Sequence, residues 1–168
     1  MFDFGVAGYR PAWLHGRREV VREQGPRLHA LEGRTLTRVW AVWDLRDDSW
    51  FSDCPVLLDF EGEQVEINHH RFDDLSVTWN GIDPAGPVRW PGFALEWRRE
   101  PLDGLKAPLG LPLLRAELLE WTGGGPARGV VDVSFVFETH RISVFNALDE
   151  NGLSFDAPGK EQRAHRLG

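Results

Sequence analysis

A chain of 168 residues with 42% hydrophobic content, eight Trp and ten Phe has enough apolar surface for one packed domain, or two very small ones, and is not a disordered composition. Its net charge of −7 argues against nucleic acid as a partner, because phosphate binding draws on clustered Lys and Arg. A single cysteine, Cys54, excludes an internal disulfide and a thiolate metal cage; no apolar run approaches the roughly 20 residues of a membrane span, and the first ten residues lack a leader pattern, so a soluble, cytoplasmic protein is expected.

In chain order, Arg17 to Gln24 is rich in helix formers and is expected to end at Gly25-Pro26. Pro26 to Gly33 then reads as a short second helix, with Pro near its start, Leu28 and Leu31 on one face, and Gly at the end. Strands are expected over residues 34–44 and 56–61, then over 64–70 after the turn Gly62-Glu63, where Val65 and Ile67 alternate with Glu66 and Asn68. Leu75, Val77 and Trp79 alternate with Ser76 and Thr78 in a fourth strand. Residues 84–91 hold three prolines and read as a connector, and Phe93 to Trp97 as a short extra strand. Pro101 to Gly110 is an irregular or very short helix, and strands follow over 111–121, 130–138, 141–145 and 153–155. Pro158 to Gly168, with Lys160, Arg163 and Arg166, reads as a loosely held basic tail.

Displacing the chain by 77 residues aligns its two halves without a gap: 12 identities fall within positions 13–74, among them Trp13/Trp90, Gly33/Gly110, Leu36/Leu113, Val56/Val133 and Phe60/Phe137. These matches fall at apolar positions and at a glycine, where a shared backbone would require them. One inserted residue would bring Leu75-Ser76-Val77 onto Leu153-Ser154-Phe155. The expected fold is therefore β-rich α+β: two tandem α-β-β-β(-β) repeats whose antiparallel sheets pack about a pseudo-twofold axis. The corresponding boundaries are a first unit over 1–83, a connector over 84–92, a second unit over 93–157 and the tail over 158–168, all within one compact domain.

Chemistry-bearing residues concentrate in Asn68-His69-His70-Arg71-Phe72-Asp73-Asp74. His69, His70, Asp73 and Asp74, with His140 from the second half, are the candidates for a His/Asp site. Adjacent histidines on a strand point to opposite faces, so one shared metal would need a bulge, and neither a metal nor a cofactor is expected. Asn146 to Gly152 lacks the alternate ligand spacing of a calcium loop, and Gly123-Gly124-Gly125 lacks the Lys-Ser/Thr of a phosphate loop. The stretch from Asp44 to Asp83 holds eleven acids against Arg46 and Arg71, a local charge of −9. Within it Trp50 and Phe51 stand among Asp47, Asp48 and Asp53, a pattern that suits anchors for a basic protein.

These features support three functional expectations. A non-enzymatic, inhibitor-like protein that docks a basic partner through Asp47, Asp48, Trp50, Phe51 and Asp53 leads. A small-ligand binder or enzyme, with a Trp-lined pocket between the sheets and the His/Asp residues near its rim, is the alternative. A structural homodimer joined through exposed Trp is the third.

Overall fold

A computed structural model describes residues 2–168 and contains two antiparallel sheets and two helices. The first sheet is built around a meander of β2 (Leu36–Asp44), β4 (Val56–Phe60), β5 (Glu63–His69) and β6 (Leu75–Trp79). It is extended by β1 (Trp13–Leu14) beside β6, by β3 (Ser49–Trp50) folding back on the end of β2, and by β7 (Leu95–Arg99) along the free edge of β2. The second sheet runs β11 (Asn151–Ser154), β10 (Arg141–Asn146), β9 (Val131–Val136), β8 (Arg115–Trp121) and β12 (Gln162–Arg166). No helix among the described residues is long and apolar enough to cross a membrane.

Strand alternation decides what faces inward. Val39, Leu58, Phe60, Val65 and Ile67 of the first sheet share one core with Leu118, Val133, Phe135, Ile142 and Val144 of the second. Phe60 packs its ring 5.6 Å from Phe135 and lies almost parallel to Phe137, at 6.5 Å and 9°. The chain preceding β2 and the chain preceding β8 are joined by four backbone hydrogen bonds around a bridge between Thr35 and Pro112. Gly33 donates to Leu113 and Gly110 to Leu36, each at 2.8 Å; Leu36 donates to Leu111 at 3.1 Å and Leu113 to Arg34 at 2.9 Å.

Two expectations are corrected. The first helix, α1 (Gly16–His29), continues through Gly25-Pro26 instead of stopping there. Proline inside a helix costs one hydrogen bond and a steric clash, but Val20, Leu28 and, just beyond the helix, Leu31 all reach the core, and that burial outweighs the local cost. The second helix, α2 (Asp103–Lys106), is as short as Gly104 and Pro108 imply. The basic C-terminal segment is not loose: Gln162–Arg166 is β12, paired along β8, and Leu167 is buried in the main core. Val77 pairs with Ile67 in the first sheet and Leu153 with Val144 in the second.

A second apolar cluster covers the outer face of the first sheet. There Phe4, Val6 and Tyr9 from the N-terminal segment, with Ile82 and Val88, pack on Val42, Leu57 and Trp97. Residues 84–92 hold no strand or helix, yet Val88 bridges both Val6 and Leu95 and is buried with Val6, the partly buried Leu95 packing beside them. Among the described residues the outward side chains of the second sheet belong to no comparable apolar cluster, although Glu117, Leu119, Ser134 and Ser143 there are themselves buried.

Candidate functional site

The His/Asp candidates do not converge. His69, at the end of β5, is buried between the sheets, with Nε2 donating to the carbonyl of Val144 at 3.0 Å. Burial pushes its pKa down to about 4, against the pull of that hydrogen bond, so the ring is a neutral cross-sheet tie. His70 points the other way and stacks on Trp13 at 5.5 Å. Asp74 accepts from His15 Nε2 at 2.6 Å, which raises the His15 pKa, and Asp73 lies beside the pair. His140 sits exposed in the β9–β10 turn and joins none of them.

His69 gives a testable pH dependence. The unfolded imidazole titrates near 6.5 and the folded one near 4, so stability is intact above the first value and is lost as pH falls towards the second. The expected loss is about 3 kcal/mol between those limits. Urea midpoints measured from pH 7 to pH 4 should fall accordingly, and His69→Gln should flatten that slope; an unchanged slope in the variant would refute the assignment.

The acidic loop is also pinned down. Phe51 is 8% exposed and packs against Trp90 and Phe93, each at 5.0 Å, while Trp50 packs on the main core. Neither ring is displayed as a surface anchor, because folding them inward buries apolar area that exposure would waste. Asp47 and Asp48 are exposed, and Asp48 accepts from Trp43 Nε1 at 2.9 Å and lies 3.6 Å from Arg98. Asp53 is half-buried, which raises its pKa, with Glu150 adding to the effect. Other acids of the stretch are likewise engaged: Glu63 pairs with Arg27 at 2.7 Å, and Glu66 is buried under four donors from Gln64, Thr78, Gly81 and Ile82. Cys54 is buried, and burial raises its pKa, so it stays a protonated packing residue as expected.

The turn from Asn146 to Asn151 works structurally. Asn146 Nδ2 donates to the carbonyls of His70 and Phe72, and Asp149 Oδ1 accepts from Phe72 N at 2.9 Å. Asn151 is buried and fastens the second sheet to the first: its Oδ1 accepts from His69 N at 2.6 Å, and its Nδ2 lies within 3.0 Å of Ser52 O, Cys54 O and Asn68 Oδ1.

The concave feature lies elsewhere, on the outer side of the second sheet. A cavity of about 650 Å³ is walled by Leu119 and Trp121 of β8, Phe145 of β10, Leu153 of β11 and the following Phe155. That volume suits a small organic ligand. Three of its rings lie directly over glycines: Trp121 over Gly123, Phe145 over Gly152 and Phe155 over Gly104. A Cβ at any of these glycines would collide with the ring, so their bare backbone lets the aromatics lie back and leaves the space open.

Asp132, from the middle of the second sheet, is set in the same wall. Its Oδ2 accepts from Gln162 Nε2 at 2.9 Å, and among the described residues Oδ1 has no protein partner. Burial pushes the Asp132 pKa up to about 7, with the Gln162 bond pulling the other way. Asp156 also lines the cavity, and no Lys, Arg or His does among the described residues.

No family model, curated protein or solved structure matches the chain.

The cavity residues were not among those singled out by sequence, although the signal was present. In Val131-Asp-Val-Ser-Phe-Val136 the inward positions are Val131, Val133 and Phe135, so Asp132 projects from the opposite face. Trp121 and Phe145 are out of phase with Leu118 and Val144, and they place large apolar side chains on a face that a half-buried strand leaves polar. An apolar residue in the outward phase, on two strands of one sheet, marks a face that expects company.

Proposed function

We propose that this chain is a small-ligand-binding protein, built by duplication of one helix-plus-strands unit, in which the cavity on the outer side of the second sheet receives the ligand. The single observation that carries the reading is the cavity on that face, with its glycine-backed rings and its half-satisfied Asp132.

Support for the duplication comes from register. Val56 opposite Ile67 and Leu58 opposite Val65 become Val133 opposite Val144 and Phe135 opposite Ile142, each displaced by 77. Val39 opposite Leu58 becomes Ala116 opposite Phe135 by the same displacement. The bridge between Thr35 and Pro112 joins two positions 77 apart, and its four hydrogen bonds exchange in pairs under that shift. A pseudo-twofold axis between Thr35 and Pro112, with Phe60 stacked on Phe137 beside it, accounts for all of these. Strands β7 and β12 each pair with the first strand of their meander, so the unit has five such strands, the boundary falls near residue 100, and the matches of residues 13–23 with 90–100, which set α1 against β7, are not part of the repeat.

The duplication also explains the location of the cavity. In the first unit the outer face is filled from within, by Phe4, Val6, Tyr9 and their neighbours. The second unit has no equivalent cluster among the described residues, and the cavity lies on that side. A concave wall of rings with a few polar groups is a natural place for an external molecule.

Uptake of the neutral dye Nile red tests this. The wild-type protein should bind it at micromolar concentration with a blue-shifted emission. Ala127→Trp, at the exposed rim of the cavity, should abolish binding while leaving the far-UV circular dichroism intact. Equal binding by the variant, or none by the wild type, would overturn the reading.

A further inference from the structure

The cavity's chemistry also narrows the class of ligand. We infer that the ligand is an organic cation, a primary ammonium group on a compact apolar body, with the ammonium donating to Asp132 and the body lying among Trp121, Phe145 and Phe155. This rests on the ligand-binding reading above and adds the charge of the ligand to it.

Four observations point the same way. The cavity wall holds two carboxylates, Asp132 and Asp156, and among the described residues no basic side chain balances them there. Asp132 keeps one oxygen on Gln162 and leaves the other without a protein donor, so the wall presents an acceptor that a ligand donor can complete. Three aromatic rings line the same space, and the faces of such rings attract cations, most strongly where water is excluded. The whole chain carries a charge of −7, which draws cations and repels anions from a distance.

The competing ligand classes fit less well. An anion would meet two carboxylates and no countercharge. A neutral alcohol would fill the apolar volume but would leave ionised Asp132 without a countercharge. A cation supplies one directly. Burial holds the Asp132 proton up to about pH 7, so an ammonium ligand that needs the ionised carboxylate should bind more weakly as pH falls below that value.

Isothermal titration with n-hexylamine, n-hexanol and hexanoate, at pH 8 and low salt, tests the class. Hexylamine should bind at least about tenfold more tightly than hexanol, and hexanoate most weakly. Asp132→Asn should bring hexylamine down to the level of hexanol while changing hexanol by less than about twofold, because the apolar walls are untouched. Because partial burial opposes ionisation of Asp132, Asp132→Asn should not lower the melting temperature at pH 8, so that lost amine binding is not mistaken for lost folding. Below pH 7 the hexylamine affinity of the wild type should fall by up to about tenfold per unit. Ala127→Trp should block both amine and alcohol, which separates the cavity from the acidic surface. If hexanol matches hexylamine, or Asp132→Asn leaves the amine unaffected, the cation assignment fails while Nile red still reports on the cavity. If Nile red and all three probes fail to bind, both readings fall.

Discussion

Phe60→Ala is expected to lower the free energy of unfolding by about 3–5 kcal/mol, the range for emptying a fully enclosed phenylalanine site. Phe60 is completely buried and sits where the two sheets meet, against Phe135 at 5.6 Å and Phe137 at 6.5 Å. Its two ring neighbours, Phe135 in β9 and Phe137 just past its end, are carried by one stretch of the opposite sheet and cannot close in on the void without shifting that backbone. The loss should appear as a lower urea midpoint with an unchanged slope. Phe60→Leu should recover more than half of the loss, since it restores most of the volume though not the ring stacking. A cost below about 1 kcal/mol for Phe60→Ala would mean that the two sheets do not share one packed interior.

Asn151→Ala is expected to cost about 3–5 kcal/mol, far more than a turn residue would, by stranding several buried partners at once. One side chain satisfies His69 N through its oxygen and faces three acceptors, Ser52 O, Cys54 O and Asn68 Oδ1, through its nitrogen. The direction of these bonds can be tested with a near-isosteric change. Asn151→Asp keeps the acceptor for His69 N but sets an ionised oxygen against the three acceptors, so at neutral pH it should be at least as damaging as alanine. Acidification that protonates the new carboxyl should recover part of the stability. Thermal melts of both variants at pH 7 and pH 5 would check this, and a mild Asn151→Asp would show that the amide is oriented the other way.

Asn151 also marks the limit of sequence reading. Followed by Gly152, it is a strong turn signal, but it opens β11 and joins segments about 80 to 100 positions away in the chain. Local chemistry carries no information about partners so distant. Where the pattern is local and periodic, the sequence was sufficient: the alternation of Val65, Glu66, Ile67 and Asn68 foretold β5, and Gly104 with Pro108 foretold a stunted α2. Gly25-Pro26 misled because core burial of Val20 and Leu28 overrode a strong local stop signal. Trp50 and Phe51 misled for a related reason. Acids on both sides suggested an exposed loop, while the rings themselves turned inward.

The site was the least legible part. His69, His70, Asp73, Asp74 and His140 drew attention by residue type, and each is occupied by packing, by a neighbouring hydrogen bond or by solvent. Asp132 drew none, because a lone acid in a strand is ordinary. It becomes unusual only when the face it occupies is seen to lack an apolar cluster like the one on the first sheet.

The seam around Thr35 and Pro112 has a mechanical consequence. Four backbone hydrogen bonds lock the roots of β2 and β8 together, and any splaying or sliding of one sheet against the other must rupture them at once. The two sheets are therefore held stiffly at that junction. Under the ligand-binding proposal, accommodation should be a swing of the three rings that rest on glycines, on a stiff frame.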